Sequence, residues 1–198
     1  MTIRKKVEPL SDDDVIISVK SGRTADFEVI VHRYKTRIIN FVFRMIGDYD
    51  ESQSLSQDVF LQIFRKLNKY KEKGTFQAFI FTIARNLTLN HIKKMKRVSF
   101  FSGSSNSGEG ENIPDGEKTP PEQIEKEERD EMVLSGLLKL SIDQRLALIM
   151  KIFLGYSYKT IAEMTGWSQP KIETLISRGK LNLKNNVRLQ EMGGKDVK

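Results

Sequence analysis

Apolar residues recur at helical spacing from early in the chain. Phe27, Ile30, Val31, Tyr34, Ile38, Phe41, Val42 and Met45 share one side of a helix with about 3.6 residues per turn, which predicts a long amphipathic helix ended by Gly47 and Asp48. Leu55, Val59, Phe60, Ile63, Phe64 and Leu67 predict a second helix over 52–67 with those residues inward, and a third is expected from Thr75 to about Arg97. The run Lys71-Glu72-Lys73-Gly74 is the loop between them. Ahead of all three, Ser11-Asp12-Asp13-Asp14 has the form of a capped, acid-rich first turn, for a short helix ending near Gly22. Apolar-periodic runs return at 132–140, 143–154 and 157–164, and a last helix begins near Gln169 or Pro170 and continues to about Leu189. No stretch alternates with the period of a strand, so the expected fold is all-α.

From Ser99 to Pro121 the pattern stops. Gly, Ser and Pro supply little apolar surface there to offset the entropy of ordering the segment. The predicted organisation is two small helical domains, 11–97 and 126–189, joined by a flexible linker over 98–125.

Charge narrows the partners. The chain has 33 Lys and Arg against 26 Asp and Glu, a net charge of +7, which favours a polyanion such as nucleic acid or an anionic membrane surface. No window approaches the roughly 18 consecutive apolar residues of a spanning helix, and the Met1-Thr2-Ile3-Arg4-Lys5-Lys6 start leads into an acidic stretch, so neither a signal peptide nor membrane insertion is expected, and the cytoplasm is the expected location. The chain has no Cys and only two His, His32 and His91, which removes disulfides, thiolate metal sites and Cys nucleophiles. No cofactor, no metal and no enzymatic activity are expected. The acids at 122–131 belong to a charge run with no partner suited to catalysis, and His91 reads as a surface or capping residue.

Two segments carry candidate chemistry. Ser157 caps a short helix whose apolar side includes Ile161, Ala162 and Met164; Thr165-Gly166-Trp167 turns the chain, and Pro170 sits in the first turn of the next helix, where its missing N–H is harmless. That is a helix-turn-helix, whose second helix enters the major groove. Ile172, Leu175, Ile176 and Leu183 would pin this helix, leaving Ser168, Gln169, Lys171, Glu173, Thr174, Arg178 and Lys180 for DNA. In the third helix Phe76, Phe79, Ile80, Ile83, Ala84 and Leu87 form the buried side, while Thr82, Asn86, Asn90, Lys93 and Arg97 share another face. Residues 71–97 hold seven basic side chains against one acid, among them Lys71, Lys73 and Lys94. Cations in this pattern hold phosphates and amides read base edges, a combination suited to single-stranded DNA.

In this order the segments resemble the extracytoplasmic-function sigma factors. Ser56-Gln57-Asp58-Val59-Phe60 is similar to that family's Gln-Glu-Val-Phe element. The run from Phe76 to Leu87, with Ile83-Ala84-Arg85-Asn86 inside it and Asn90-His91-Ile92-Lys93-Lys94 after it, resembles its aromatic-rich helix. Leu140-Ser141-Ile142-Asp143-Gln144-Arg145 and Gly155-Tyr156-Ser157-Tyr158-Lys159-Thr160-Ile161-Ala162-Glu163 resemble elements of its region 4. The resemblance implies a region 2 that binds the clamp of core RNA polymerase through Leu55, Gln57, Asp58 and Phe60. That region would read the minus-ten element of promoter DNA as the strands open, with Lys71, Lys73, Asn86, Asn90, Lys93, Lys94 and Arg97. Region 4 would read the minus-thirty-five duplex with Ser168, Gln169, Lys171, Glu173, Thr174, Arg178 and Lys180. The linker would thread toward the active-centre channel, and an anti-sigma factor is the family's usual inhibitory partner.

Departures are specific. Ser52-Gln53-Ser54 replaces the family's acidic Ala-Glu-Asp run, Phe79 stands where Trp is usual, and Asn90 where Asp is. Lys171-Ile172-Glu173-Thr174-Leu175 replaces Thr-Val-Lys-Ser-Arg, so two cations are missing and Glu173 is free to accept from a cytosine amino group. The promoter read therefore does not transfer from the family. A stand-alone helix-turn-helix regulator is the alternative; it accounts for the C-terminal unit but not for the Ile83-Ala84-Arg85-Asn86 helix.

Overall fold

The computed structural model describes residues 10–70, 75–101 and 121–193, with side chains for all of these except 99–101, 121–129 and 191–193. Among the described residues the secondary structure is helical. The N-terminal unit comprises α1 (Asp12–Lys20), α2 (Phe27–Ile46), α3 (Tyr49–Lys66) and α4 (Phe76–Phe101), with one-turn 3₁₀ segments at Thr24–Asp26 and Leu67–Lys69. The C-terminal unit comprises α5 (Pro121–Leu138), α6 (Ile142–Leu148), α7 (Tyr158–Thr165) and α8 (Gln169–Gly193).

Local chemistry sets the helix ends. Ser11 Oγ accepts from the Asp14 N–H at 3.2 Å while the Asp14 carboxylate accepts from the Ser11 N–H at 3.0 Å, a reciprocal capping box. Gly47 ends α2 with φ +85, a left-handed conformation in which a side chain would be strained, and Asp48 then caps α3 by accepting from the Glu51 N–H at 2.8 Å. Gly166 ends α7 in the same way, at φ +74.

The expected helices are present, with differences at their ends. The helix expected to stop near Arg97 continues to Phe101, and that expected from Met132 starts at Pro121, so both enter the span assigned to the linker, whose central residues 102–120 lie outside the described set. The acid-rich stretch 122–131 lies in the N-terminal half of α5. The helix expected over 143–154 changes character after Leu148: a π-turn occupies Ile149–Phe153, closed by the Leu154 N–H on the Ile149 carbonyl at 3.1 Å. Phe64, expected inward, is 42% exposed; Ile63 takes the buried position, and Phe64, about 100° further round the helix, meets Phe27 edge-on at 5.2 Å.

One apolar cluster runs through both units. Ile30, Ile38, Ile63 and Ile80 are fully buried in the first and Leu146, Leu148, Ile149 and Ile172 in the second, each contributing on the order of 1.5–3 kcal/mol by burial. Between the units the contacts are polar as well as apolar. The Arg145 guanidinium, only 8% exposed, donates to the carbonyls of Leu137 at 2.9 Å, Leu140 at 3.3 Å and Leu138, and reaches across to the carbonyl of Met45 in the last turn of α2. Arg44 lies over the Phe153 ring at 4.3 Å. The Tyr156 hydroxyl donates to the Gln77 carbonyl at 3.4 Å, and burial pushes its pKa up to about 12, which keeps it a neutral donor.

Candidate nucleic-acid and polymerase interfaces

The start of α4 is fixed by aromatic packing. Phe76 is buried, stacks on Phe79 at 5.9 Å and meets Tyr70 and Tyr34 edge-on at 5.2 and 6.2 Å. Phe79, half-buried, also touches Tyr70 at 5.2 Å, so both phenylalanines serve the core. With that side anchored, α4 turns Asn86, Asn90, Lys93, Lys94 and Arg97 to solvent. Thr82 is half-buried and spends its hydroxyl on the Ala78 carbonyl at 2.8 Å, which takes it out of the polar stripe. His91, half-buried beside these residues, points Nδ1 at Glu51 Oε1 at 3.4 Å and links α4 to α3. Lys71 and Lys73 lie outside the described residues.

In the C-terminal unit, Ile172 and Ile176 are buried and set the rotation of α8. Ser168, Gln169, Lys171, Glu173, Thr174, Arg178 and Lys180 are consequently all exposed along one helix, with Ser168 Oγ accepting from the Lys171 N–H at 3.4 Å to cap it. Lys171 is held in place: its ammonium is 4.8 Å from the centre of the Trp167 ring and 3.7 Å from Asp143. Thr174 donates to the Pro170 carbonyl at 2.9 Å. The exposed face thus offers Ser168, Gln169 and Thr174, the Lys171 cation and the Glu173 carboxylate near its start and the cations Arg178 and Lys180 further along, the mixture that reads base edges and grips phosphates.

The four residues expected on the polymerase side separate into two kinds. Gln57 and Asp58 are exposed on α3, whereas Leu55 and Phe60 are buried at 7% and 8% exposure and hold α3 against its own core. Sequence reasoning passed over the apolar surface beside the exposed pair, formed by Leu61 at 54% exposure and Phe64 at 42%. An unpaired leucine one position after the inward Phe60 was the available signal. Ser52 is fully buried, bonded to the Asp48 carbonyl, so a small residue fits there; Gln53 and Ser54 are exposed without charge, while Asp50, Glu51 and Asp58 keep α3 acidic. Arg85 was also missed. Its Nη1 donates to the carbonyl of Met164 in α7 at 2.6 Å and to Asn86 Oδ1 at 3.3 Å.

Among the described residues, no cluster of His, Asp or Glu is placed to hold a metal ion, and no helix is long and apolar enough to cross a membrane.

Comparison with known proteins bears on these surfaces. The family model for Sigma-70 region 2 matches residues 30–98 and that for Sigma-70, region 4 matches residues 130–183. Among curated relatives, the RNA polymerase sigma factor YlaC of Bacillus subtilis is 28% identical over 160 residues, covering 81% of this chain and 91% of the relative. The ECF RNA polymerase sigma-E factor of Escherichia coli is 25% identical over 185 residues, covering 91% and 96%. Among solved structures, the sigma factor RpoE in complex with the anti-sigma factor NepR from Bartonella quintana has the same fold, with a TM-score of 0.67, 22% identity and coverage of 82% of this chain and 97% of that one. The first matched region holds the exposed faces of α3 and α4 and the second holds the helix-turn-helix with most of α8, and this ordered pair places the chain in the sigma-70 family, in its extracytoplasmic-function group of non-enzymatic transcription initiation factors.

Proposed function

We propose that this sigma factor, which binds core RNA polymerase and directs promoter-specific initiation, divides that work between its units along the boundaries 11–97 and 126–189, with 98–125 as a flexible linker. In the first, the exposed Gln57 and Asp58 dock on the polymerase, joined by Leu61 and Phe64, with Leu55 and Phe60 holding α3 in shape from within. Asn86 and Asn90 read unstacked bases of the minus-ten element while Lys93, Lys94 and Arg97 hold its phosphates; Lys71 and Lys73, outside the described residues, are assigned to the same DNA from the sequence. In the second, the N-terminal half of α8 reads the minus-thirty-five duplex through Gln169, Lys171, Glu173 and Thr174, with Ser168, Arg178 and Lys180 on the backbone. The setting is the cytoplasm, with the transcription machinery, and a protein inhibitor of the anti-sigma type is a partner of this reading.

The observation that carries the proposal is the polar and basic stripe Asn86, Asn90, Lys93, Arg97. Every member is exposed on a helix whose other side is buried aromatic and aliphatic core, an arrangement the packing of α4 alone does not require. The test is reconstitution: purified chain and cognate core polymerase are co-eluted, then offered a double-stranded promoter library. Co-elution with initiation from a restricted set of sequences is expected. Duplex binding without any polymerase association would turn the reading to a stand-alone regulator.

A further inference from the structure

We propose that the groove between α2 and the π-turn after α6 is a binding site for a nucleoside diphosphate, whose phosphates are held by Arg37 and Arg44 and whose base packs against Phe153. The groove shares no residue with the surfaces assigned to DNA or polymerase, so it stands whichever element each unit reads.

One wall is a stripe on α2. Arg37, Asn40 and Arg44 are spaced three and four residues apart, so they stand one above another on one side of the helix, with the two arginine Cα atoms about 10 Å apart along its axis. The opposite wall is formed by Ile149, Phe153 and Leu154, carried by the π-turn. Such turns are rare and are found frequently at functional sites. This one buries Ile149 completely and leaves the Phe153 ring 42% exposed at the mouth of the groove.

The two guanidiniums are short of partners. Among the described residues neither is ion-paired with a carboxylate. Arg37 donates no hydrogen bond there and lies against rings, 5.6 Å from the centre of Phe81 and 5.8 Å from that of Tyr34. Arg44 donates once, to the Asn40 carbonyl at 3.1 Å, and lies 4.3 Å from the centre of the Phe153 ring. Contact with a ring face leaves the N–H groups at the guanidinium edge unused. Arg44 is half-buried, and burial lowers its pKa from the ordinary value, with Asp130 acting in the opposite sense. A partly desolvated cation with unused donors gains from a bound anion, and the planar fork of arginine pairs with phosphate oxygens two at a time. The exposed Asn40 amide adds donors between the two arginines.

Size and chemistry select the ligand. The groove holds about 180 Å³ and opens to solvent past Arg37, Asn40 and Phe153, less than the roughly 300 Å³ that encloses a drug-sized molecule, so its occupant is small and keeps one end in water. Inorganic phosphate would leave the apolar wall uncovered and give two arginines one partner. A diphosphate gives each guanidinium its own phosphate, and a planar base covers the open part of the Phe153 ring.

The full chain is titrated by calorimetry, without divalent metal, with ADP, GDP, inorganic pyrophosphate and adenosine. Saturable one-to-one binding of the nucleoside diphosphates is expected, with affinity lower on the order of tenfold for pyrophosphate, which lacks the base, and for adenosine, which lacks the phosphates. Arg37→Ala should weaken ADP binding about tenfold or more, and Asn40→Asp, which sets a carboxylate between the arginines, should abolish it. Phe153→Leu should weaken ADP and leave pyrophosphate unchanged. Lys35→Ala removes an exposed cation about 200° round α2 from Arg37 and should leave every affinity as it is. Arg37, Asn40 and Phe153 are all exposed, so their variants should melt at the native temperature. ADP should raise that temperature in the native chain and not in Asn40→Asp. Absence of saturable nucleotide binding overturns the proposal, as does an equal loss in Lys35→Ala and Arg37→Ala, the mark of diffuse attraction to a basic chain. Pyrophosphate bound as tightly as ADP, an anion subsite only, overturns the nucleotide assignment.

Discussion

Arg85 of α4 donates to the backbone carbonyl of Met164 in α7 at 2.6 Å, a bond between the helix that carries Asn86 and the helix that precedes the recognition helix. Burial pulls the Arg85 pKa down from its ordinary value, with Asp143 acting in the opposite sense. The bond joins the two surfaces assigned to promoter DNA, so each can be tested separately and then together.

The exposed cations at the end of α4 should contribute through phosphates. Replacing Lys93 and Lys94 with Ala is expected to weaken promoter binding on all sequences alike and to reduce the slope of log affinity against log salt by about 0.7–0.9 for each phosphate no longer neutralised. Titrations of the holoenzyme at several salt concentrations check this, and an unchanged slope would remove both lysines from the DNA interface.

The recognition helix should act differently, through sequence. Glu173→Gln and Lys171→Ala are expected to alter the preferred upstream bases, at about 1–3 kcal/mol for each base read. Lys171 is braced by Trp167 and Asp143, so Asp143→Ala should reproduce part of the Lys171 effect without touching DNA itself. Competition binding against single-base variants of the upstream element separates base reading from an equal loss on every sequence, which would mean that these residues touch the backbone only.

Packing of α8 on α6 depends on a missing side chain. A Cβ on Gly179 would come within 3.0 Å of Leu148 Cδ1 and 3.1 Å of its Cγ, and Leu148 is fully buried. Gly179→Ala gains about 1 kcal/mol of helix propensity but overpacks the core at a cost of about 1–3 kcal/mol, so a net loss near 1 kcal/mol is expected in urea unfolding. A net gain would show that Leu148 can move aside.

Acid should loosen α1. The Ser11 hydroxyl and then the Ser11 N–H lower the Asp14 pKa, so the capping box stabilises α1 fully above the unfolded carboxyl value of about 3.9 and is lost as pH falls through the lower folded value. Hydrogen-exchange protection of the α1 amides should therefore drop in that acid window in the native chain. In Ser11→Ala the protection should start lower and change less; an identical acid profile in the two proteins would contradict the cap.

Much of this was legible in the sequence, because amphipathic period and caps act locally. The stripe from Phe27 to Met45, the Ser11 cap, the Gly47 and Gly166 stops and the exposed face of α8 all follow from spacing and turn chemistry. Less local features were hidden. The π-turn after Leu148 breaks a run whose apolar period continues unchanged, and Phe64 differs from Ile63 only by its rotation about α3. Phe60 belongs to a segment that resembles a family motif and Leu55 directly precedes it, yet such a resemblance does not say which side chains point outward. The tie from Arg145 to Met45 joins residues a hundred positions apart through a backbone carbonyl, which has no sequence signature.

The most direct test of the central claim is permanganate reactivity of thymines in a duplex promoter chosen by the library selection, with core polymerase, the chain, or both. The account predicts melted, reactive thymines at the minus-ten element only when both are present, and loss of that signal when Asn86 and Asn90 are replaced by Ala. Reactivity with core alone, or duplex protection by the chain with no melting in any combination, would contradict it.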